Sequence, residues 1–515
     1  MKKILLYAVT AALTLSMTGC RIDDNIDPNN PLNENLSPRN RITAAETATF
    51  SAQSGNMFSL SRIWTNTVAG NYYQYAAPMT AEYQMNITSS SGYGNIWNGN
   101  YLALANLAAI IEGKDAEQFP LHVAIAKILM ANGMQYIVDF YGDAPYTEAF
   151  KQQEILNPKY DKGEDIYKDL VIKINEAIEA INNNPDPASN IAVTGNEDVI
   201  FGGDMTEWVK YANTIKLRLL LRQSKVTDGA IAQFNQEQLA SLVGASFVDG
   251  DVTINPGYTN ATEQQLNPLY LNFGAFNFSY TANNNAGYRY YKVSDHFAKL
   301  MNGDASKPTA GLVDPRGTKI YRAVGGKLVG IQQGQSKPEG TSDGQFSYPG
   351  GWMYTAPEDG GSRDGYMMLK SEAELLLAEA AVLYPQYFSG AQSHYTNAVN
   401  ESFTFLGLTG AQATAYLNGL NTKSVGWAGS ADKMNAIQYQ RLVILNNYKP
   451  YETYINYLKT GYPETPLALT ALYPNKPYRL PYPISETIGN SANVPKFDTA
   501  ELFVKNQYTP FWNRN

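Results

Sequence analysis

Apolar residues recur at helical spacing over most of this chain. In the segment 163–182, they follow one another at steps of four, four, three and four, as Ile166, Leu170, Ile174, Ala177 and Ile181. These steps place the five side chains on one face of an α-helix, which turns once every 3.6 residues or so. Apolar spacing predicts further helices at 43–71, 95–112, 121–140, 391–406, 411–420, 431–447 and 450–460. The chain is therefore predicted to be mainly α-helical.

Two polar motifs predict where helices begin. Asp204 precedes Glu207 by three residues, and Ser371 precedes Glu374 by the same distance. In such a capping box, the first side chain accepts hydrogen bonds from amides of the first turn, and the glutamate bonds back to the cap. Because the predicted helices come in sequence-adjacent pairs, they favour a tetratricopeptide-like scaffold of stacked pairs. A clean repeat of about 34 residues is not present.

The helical spacing is lost between about residues 246 and 366, where Gly, Asn, Pro, Ser and Tyr dominate. Long irregular segments in a compact body usually have a function or are disordered, and the aromatic content argues against disorder. The Pro-rich segment 473–483 is also predicted to be non-helical, because proline has no amide hydrogen to donate. Residues 43–515 are therefore predicted to form a single helical domain with an irregular insert at 246–366.

The N-terminus has the pattern of a secretory signal. Two lysines precede an apolar run at residues 4–15, small residues follow, and the only cysteine of the chain is Cys20. We expect a lipoprotein signal peptide at 1–19, with lipid on Cys20, and a flexible polar tether at 20–42. The alternative is a free cysteine buried in the core. No other segment is expected to be long and apolar enough to span a bilayer.

Composition narrows the possible functions. The chain has 39 Lys and Arg against 47 Asp and Glu, and its net charge of −8 argues against a nucleic-acid partner. One cysteine excludes a disulfide framework and a cysteine-based zinc site. The three histidines, at positions 122, 296 and 394, are too scattered in the sequence for a His-rich metal site. We therefore predict no metal and no cofactor.

Enzyme signatures are also weak. Catalytic and nucleotide-binding motifs such as G-x-S-x-G, H-E-x-x-H and the P-loop are absent. Glu358 and Asp359 could act as a glycosidase pair, but they lie in a polar segment typical of a turn. The strings at 249–251 and 302–304 resemble parts of calcium loops, yet they lack the distal glutamate, which favours turns. The chain is therefore predicted not to be an enzyme.

Tyrosine is unusually frequent, with 37 Tyr against 19 Phe and 6 Trp. Flat aromatic rings bind the apolar faces of a sugar, while amide and guanidinium groups bind its hydroxyls. Segments 71–101 and 270–291 have this mixture, and a smaller third segment is GGWMY at 350–354. The candidate ligand-binding residues are Tyr72, Tyr75, Tyr93, Trp97, Asn98, Phe276, Tyr280, Tyr288, Arg289, Trp352 and Tyr354. The alternative for each aromatic is core packing, especially for Trp97, which starts a helical stripe.

Several strings, in this order, resemble the SusD/RagB-type outer-membrane lipoproteins of Bacteroidetes, and in particular their SusD-like second subfamily. They are DPNNP (27–31), YGDAPYTEAF (141–150), FGGDMTEWVKYANTIKLRLLLR (201–222), DPRGTKIY (314–321), YMMLKSEAELLLAEAA (366–381), YKPYETYINYLKTGYP (448–463) and RLPYPISE (479–486). The closing string TPFWNRN (509–515) also resembles that of the family. The resemblance covers the chain from Cys20 to its end.

The resemblance implies four tetratricopeptide-like helix pairs, with the irregular middle facing the ligand. It implies a lipid-anchored, non-catalytic, oligosaccharide-binding protein on the outer face of the outer membrane. Its partner would be a SusC-like, TonB-dependent transporter that takes up the nutrient. The acidic residues Asp23, Asp24 and Asp27 look like the surface-export signal of such lipoproteins, although Arg21 departs from it. Two alternatives are a peptide or other nutrient as the ligand, and a surface glycoside hydrolase.

Overall fold

The computed structural model describes residues 36–151, 154–227, 229–279 and 286–514, and helices dominate them. The predicted signal peptide, Cys20 and most of the predicted tether lie outside the described residues. The helices of eight residues or more are α1 (Pro38–Gln53), α2 (Asn56–Trp64), α3 (Asn95–Ile111), α4 (Pro120–Tyr141), α5 (Gly163–Asn182), α6 (Met205–Arg222), α7 (Gly229–Ala240), α8 (Asp295–Asn302), α9 (Lys370–Leu383), α10 (Ala391–Phe405), α11 (Gly410–Leu420), α12 (Lys433–Leu445) and α13 (Pro450–Thr460). The prediction of a mainly α-helical fold is confirmed.

The helices pack as sequence-adjacent pairs that follow one another. Helix α3 packs on α4, α5 on α6, α9 on α10, and α12 on α13. Neighbouring pairs are joined by contacts of α4 with α5, α6 with α9, and α9 with α12, and α13 packs back on α2. One apolar core runs through this series and includes the fully buried Trp64, Trp208 and Trp512.

Buried ion pairs connect the helices across this core. Arg222 on α6 donates to Glu452 on α13 at 2.7 Å and lies 3.2 Å from Asp139 on α4. Lys449, which immediately precedes α13, donates to Glu372 on α9 at 3.0 Å. Burial favours a raised pKa for the Glu452 carboxyl, but the nearby Arg222 and Arg218 outweigh it and lower that pKa. These groups hold the helix pairs in one arrangement, because each charge would be costly to bury alone.

Several helix boundaries match the sequence prediction, and two do not. Helix α5 spans the predicted 163–182. The prediction of a single helix at 43–71 is wrong. Helix α1 ends before Ser54 and Gly55, α2 follows, and the chain then enters strand β1 (Val68–Gly70). Asp204 caps α6 as predicted, by accepting from the amides of Thr206 and Glu207 at 2.9 and 3.3 Å. The predicted return bond from Glu207 is not formed, because the Asp204 amide donates to the Phe201 carbonyl and Glu207 accepts from Lys210.

The capping box predicted at Ser371 is wrong. Helix α9 already begins at Lys370, and its N-cap residue Leu369 makes no side-chain cap bond. The Lys370 amide donates instead to the Asp251 carboxylate at 2.8 Å. Ser371 and Glu372 are buried inside the first turn, where Glu372 accepts from Lys449. Helix α1 begins at Pro38, so residues 38–42, which were expected to belong to the tether, are helical.

One described helix is long and apolar enough to cross a membrane by length and composition, namely α4. The expectation that no segment besides the signal would pass this test was therefore wrong. However, 89% of the apolar window of α4 is buried inside the protein. Helix α4 is thus the central core helix, since it packs on both α3 and α5.

The described part of the irregular middle contains short helices and supplies strands to two antiparallel two-stranded sheets. Strand β1 (Val68–Gly70) pairs with β3 (Tyr291–Val293), with Val68 opposite Val293 and Gly70 opposite Tyr291. Strand β2 (Val252–Ile254) pairs with β4 (Gly365–Met368). The first sheet places the loop after β1 beside the residues that precede β3.

Candidate ligand-binding surface

The β1–β3 pairing brings together loops that are more than 200 residues apart in sequence. Just beyond the strands, the Asn71 amide donates to the Tyr290 carbonyl at 2.9 Å. The Asn71 side chain donates to the Arg289 carbonyl at 3.0 Å and to the Tyr348 hydroxyl at 3.1 Å. Three segments therefore meet at Asn71: the loop at 71–75, residues 288–291 and the loop at 335–348.

Aromatic side chains from these segments and their neighbours form what we call the aromatic surface. Tyr73 lies 5.2 Å from Tyr72 and 5.6 Å from Phe346, between ring centroids. Tyr75 packs edge-on against Tyr290 at 4.8 Å. The members of this surface are Tyr72, Tyr73, Tyr75, Phe276, Tyr288, Tyr290, Phe346, Tyr348 and Tyr354. All of them are half-buried except Tyr288, which is 1% exposed.

Tyr288 supports the other rings from beneath. It stacks on Tyr348 at 5.5 Å and on Tyr354 at 6.0 Å, and Tyr354 contacts Phe276 at 5.6 Å. The Tyr288 hydroxyl donates to the Pro349 carbonyl at 2.8 Å, which satisfies its polar end. Half-buried rings on a buried ring make a rigid platform that is partly open to solvent.

A polar network fixes the loop at 335–348 against the strands. The carboxylate of Asp343 accepts from the Tyr348 hydroxyl at 2.6 Å, from Gln74 at 3.1 Å and from the buried Lys292 at 2.9 Å. Partial burial alone would raise the pKa of Asp343, but the hydrogen bonds from Tyr348 and Lys292 outweigh it and lower that pKa. Burial lowers the pKa of Lys292 to about 8, although Asp343 opposes this shift. The Asp343 carboxylate is thus held as an anion by groups of the protein itself.

The structure places six of the predicted residues on the aromatic surface, namely Tyr72, Tyr75, Phe276, Tyr288, Arg289 and Tyr354. The Tyr72 hydroxyl accepts from Gln335 at 2.6 Å, and Arg289 donates to the side-chain carbonyl of Gln74. Tyr280 lies outside the described residues. Ligand contact by these residues stays a prediction.

Trp97 and Asn98 lie elsewhere, whereas Tyr93 lies at the edge of the aromatic surface, near enough to Tyr290 for the two side chains to interact electrostatically. Trp97 is 3% exposed at the start of α3, with Tyr101, Tyr141 and Tyr482 packed around it at 4.7, 5.0 and 5.6 Å. Asn98 accepts from Ser485 at 3.0 Å, and the Tyr93 hydroxyl donates to Glu82 at 2.5 Å. For Trp97 the structure favours the alternative of core packing, because its indole is enclosed by other rings.

Trp352 and Tyr354 point away from one another, although they share one turn of 3₁₀ helix at Gly351–Tyr354. Tyr354 belongs to the aromatic surface, whereas Trp352 lines a separate cleft of about 720 Å³ together with Arg363 and Tyr366. Trp352 is 8% exposed, and its indole nitrogen donates to the Asn447 carbonyl at 3.2 Å. The two residues therefore do not form the single platform that the string GGWMY suggested.

The prediction missed Tyr73, Tyr290, Phe346 and Tyr348, together with the cationic residues Arg322 and Lys337. Arg322 lies over the Tyr354 ring at 3.7 Å, and Lys337 lies over the Tyr73 ring at 4.8 Å. Tyr73 and Tyr290 stand within the segments that were singled out, so their composition was the available signal. The loop at 335–348 has no helical or strand spacing, so only its pairing with the strands shows where it lies.

Within the described residues, no group of three or more His, Cys, Asp or Glu side chains could hold a metal ion. The aromatic surface offers ring faces, amides and guanidinium groups. It is therefore suited to hold a polar ligand with apolar faces.

The fold and this surface define a class of protein, in which stacked helix pairs present an aromatic loop surface. A family model, SusD-like second subfamily, with the description "Starch-binding associating with outer membrane", matches residues 38–483. The chain therefore belongs to the SusD-like family, which is one of binding proteins and not of enzymes. No curated protein sequence matches the chain significantly.

Solved structures share the fold at low sequence identity. A SusD homologue from Bacteroides fragilis is 19% identical with a TM-score of 0.68, and the alignment covers 93% of this chain and 99% of that one. A chitin-binding SusD homologue from Flavobacterium johnsoniae is 20% identical with a TM-score of 0.66, over 88% of this chain and 94% of that one. Another chitin-binding protein is 21% identical with a TM-score of 0.68, over 89% and 95% of the two chains.

Proposed function

We propose that this protein binds an oligosaccharide at the aromatic surface and passes it to a SusC-like, TonB-dependent transporter in the outer membrane. Lipid on Cys20 would anchor it, and the polar tether would let the helical body cover the transporter from the cell exterior. The observation that carries the proposal is the match of the family model to residues 38–483. Two fold relatives described as chitin-binding agree with a glycan as ligand.

The geometry supports the glycan part of the proposal. The rings of Tyr73, Tyr75 and Tyr354 are half-buried, so each is anchored by the protein and still reaches solvent. Sugars bind by placing their C–H faces on such rings, and nearby amides and guanidinium groups bind their hydroxyls. Gln74 and Arg289 supply those groups beside Tyr75 and Tyr348.

The test is binding of the purified full-length chain to a panel of neutral and acidic oligosaccharides by calorimetry. An aromatic contact is worth about 0.5–1.5 kcal/mol beyond burial, so we expect Tyr75→Ala or Tyr354→Ala to weaken binding about two- to tenfold. Tyr387→Ala is the matched control, because Tyr387 is a half-buried tyrosine next to helix α9. Equal effects of all three changes, or no binding to any glycan, would contradict the proposal.

Two other functions make different predictions. A peptide-binding protein of the same architecture would bind a peptide library and no glycan, since aromatic surfaces accept either class. A glycoside hydrolase would release reducing sugar and lose that activity on Glu358→Gln or Asp359→Asn. We expect neither result, because Glu358 and Asp359 are exposed and the family is one of binding proteins.

A further inference from the structure

The aromatic surface carries cations that the protein leaves without a carboxylate partner. Arg322 is exposed and lies over the Tyr354 ring, and the exposed Lys337 lies over Tyr73. Arg289 is bonded to the neutral side chain of Gln74. Within the described residues, none of these three cations has a carboxylate oxygen within 4.0 Å. Elsewhere in the fold, arginines such as Arg316 and Arg441 do pair with carboxylates.

Two acidic groups beside the rings, Asp343 and Glu82, are already engaged. Asp343 is held by Lys292, Tyr348 and Gln74, so its charge is balanced from inside the protein. Glu82 accepts a hydrogen bond from Tyr93. Around Tyr288 and Tyr348, three cations (Arg289, Lys292 and Arg322) therefore face one carboxylate, that of Asp343.

This local excess of positive charge is opposite in sign to the whole chain, which carries −8. The Debye length is about 8 Å at physiological ionic strength, so a bound ligand feels mainly the charges beside it. A guanidinium lying on an aromatic ring still presents several N–H groups in its own plane, although one group of Arg322 bonds the Tyr288 hydroxyl. The remaining planar edge matches the two oxygens of a carboxylate or sulfate.

We propose that the aromatic surface selects an anionic glycan, in which a uronate carboxylate or a sulfate group binds Arg322 and Arg289 while a neighbouring sugar ring lies on Tyr354 or Tyr75. Lys337 would attract a second acidic unit along the same chain. This inference rests on the proposed function and names the substrate class of the same surface. The ligand is thus negatively charged, and Arg322, Arg289 and Lys337 bind its charged groups.

The experiment compares three sets of oligosaccharides on the full-length chain: oligogalacturonates, sulfated galactan fragments and neutral starch or chitin fragments. We expect one of the anionic sets to bind at least tenfold more tightly than the neutral one, and its affinity to fall as NaCl is raised from 0.05 to 0.5 M. Arg322→Gln should weaken anionic binding about fivefold, which corresponds to about 1 kcal/mol. Arg322→Lys keeps the charge and loses the planar edge, so it should be intermediate.

Lys114→Gln is the matched control, because Lys114 is exposed between α3 and α4, and its removal changes the net charge equally. Equal weakening by Lys114→Gln and Arg322→Gln would mean a non-specific charge effect and would overturn the inference. Tight, salt-independent binding of neutral glycans that survives Arg322→Gln would overturn it as well, while leaving the proposed function intact. Failure of all three sets to bind would overturn both.

Discussion

Substitution of the buried Glu379 is the strongest test of the ion pairs that hold the helices together. Its side chain on α9 is fully buried, and its carboxylate accepts from both terminal nitrogens of Arg441 at 3.1 Å and from Lys459. Burial alone would raise the pKa of Glu379, but Lys459 and Arg441 outweigh it and lower that pKa. One anion thus neutralises two buried cations, from α12 and α13.

Glu379→Gln removes that charge and changes the shape of the side chain very little. Two desolvated cations then lack their anion, and breaking a buried pair in this way costs about 3–5 kcal/mol. Gln438 still accepts from Arg441 at 2.8 Å, which limits the loss on the arginine side. Burial lowers the pKa of Lys459 to about 8 even with Glu379 present. Without Glu379 this pKa should fall further, so the variant should regain part of its stability as the pH rises from 7 to 9.

The measurement is urea unfolding followed by far-UV circular dichroism, at pH 7 and pH 9. Glu374→Gln is the matched control, since Glu374 lies on the same helix and pairs with the partly exposed His394 at 2.6 Å. Pairs of that kind are worth about 1 kcal/mol or less. The reasoning is refuted if Glu379→Gln costs no more than Glu374→Gln at an unchanged urea dependence.

Three further changes test other features. Trp97→Ala should lower the free energy of unfolding by about 3–5 kcal/mol, because Trp97 is enclosed in the core. The glycan affinity of the folded protein should not change. Weaker glycan binding at unchanged stability would contradict the assignment of Trp97 to the core. Arg62→Met should be neutral or stabilising in urea, because its guanidinium is buried on Phe58 and Tyr291 with no hydrogen-bond partner among the described residues. A loss above about 2 kcal/mol would show that Arg62 has a partner after all. Burial lowers the pKa of Lys476 to about 7 in the folded protein, compared with about 10.4 in the unfolded chain. Between about pH 7 and pH 10 the unfolded state therefore binds more protons than the folded state, and the free energy of unfolding should rise with pH. Lys476→Met should reduce that rise, which can be measured from the unfolding midpoints at pH 6, 8 and 10. An unchanged rise would show that other groups cause the pH dependence.

The sequence predicted the long amphipathic helices well, and the reason is local. The apolar face of α5 lies wholly within its own segment, so its spacing marked the helix at 163–182 to the residue. The start of α9 was mispredicted because Ser371 and Glu372 are buried, and Glu372 accepts from the distant Lys449. Tertiary burial of polar residues leaves no signal in local spacing.

The candidate surface could be predicted only in pieces. Aromatic and polar composition indicated Tyr72, Tyr75, Phe276 and Tyr354, which the structure places together. It equally indicated Trp97, whose neighbours Tyr141 and Tyr482 are remote in sequence and enclose it. Whether an aromatic residue is open or enclosed depends on strand pairing and helix packing across hundreds of residues, and composition alone does not specify these.

The short β1–β3 sheet has a consequence for how this surface can bind. It fixes the loop after Gly70 against Tyr291 before any ligand arrives, and Asn71 extends the connection to Tyr348. Ordering a free side chain or loop on binding costs about 0.5–1.5 kcal/mol for each group immobilised, and a preorganised platform avoids much of that loss. Three residue pairs between the distant strands β1 and β3 therefore let the aromatic surface retain a larger share of its contact energy on binding.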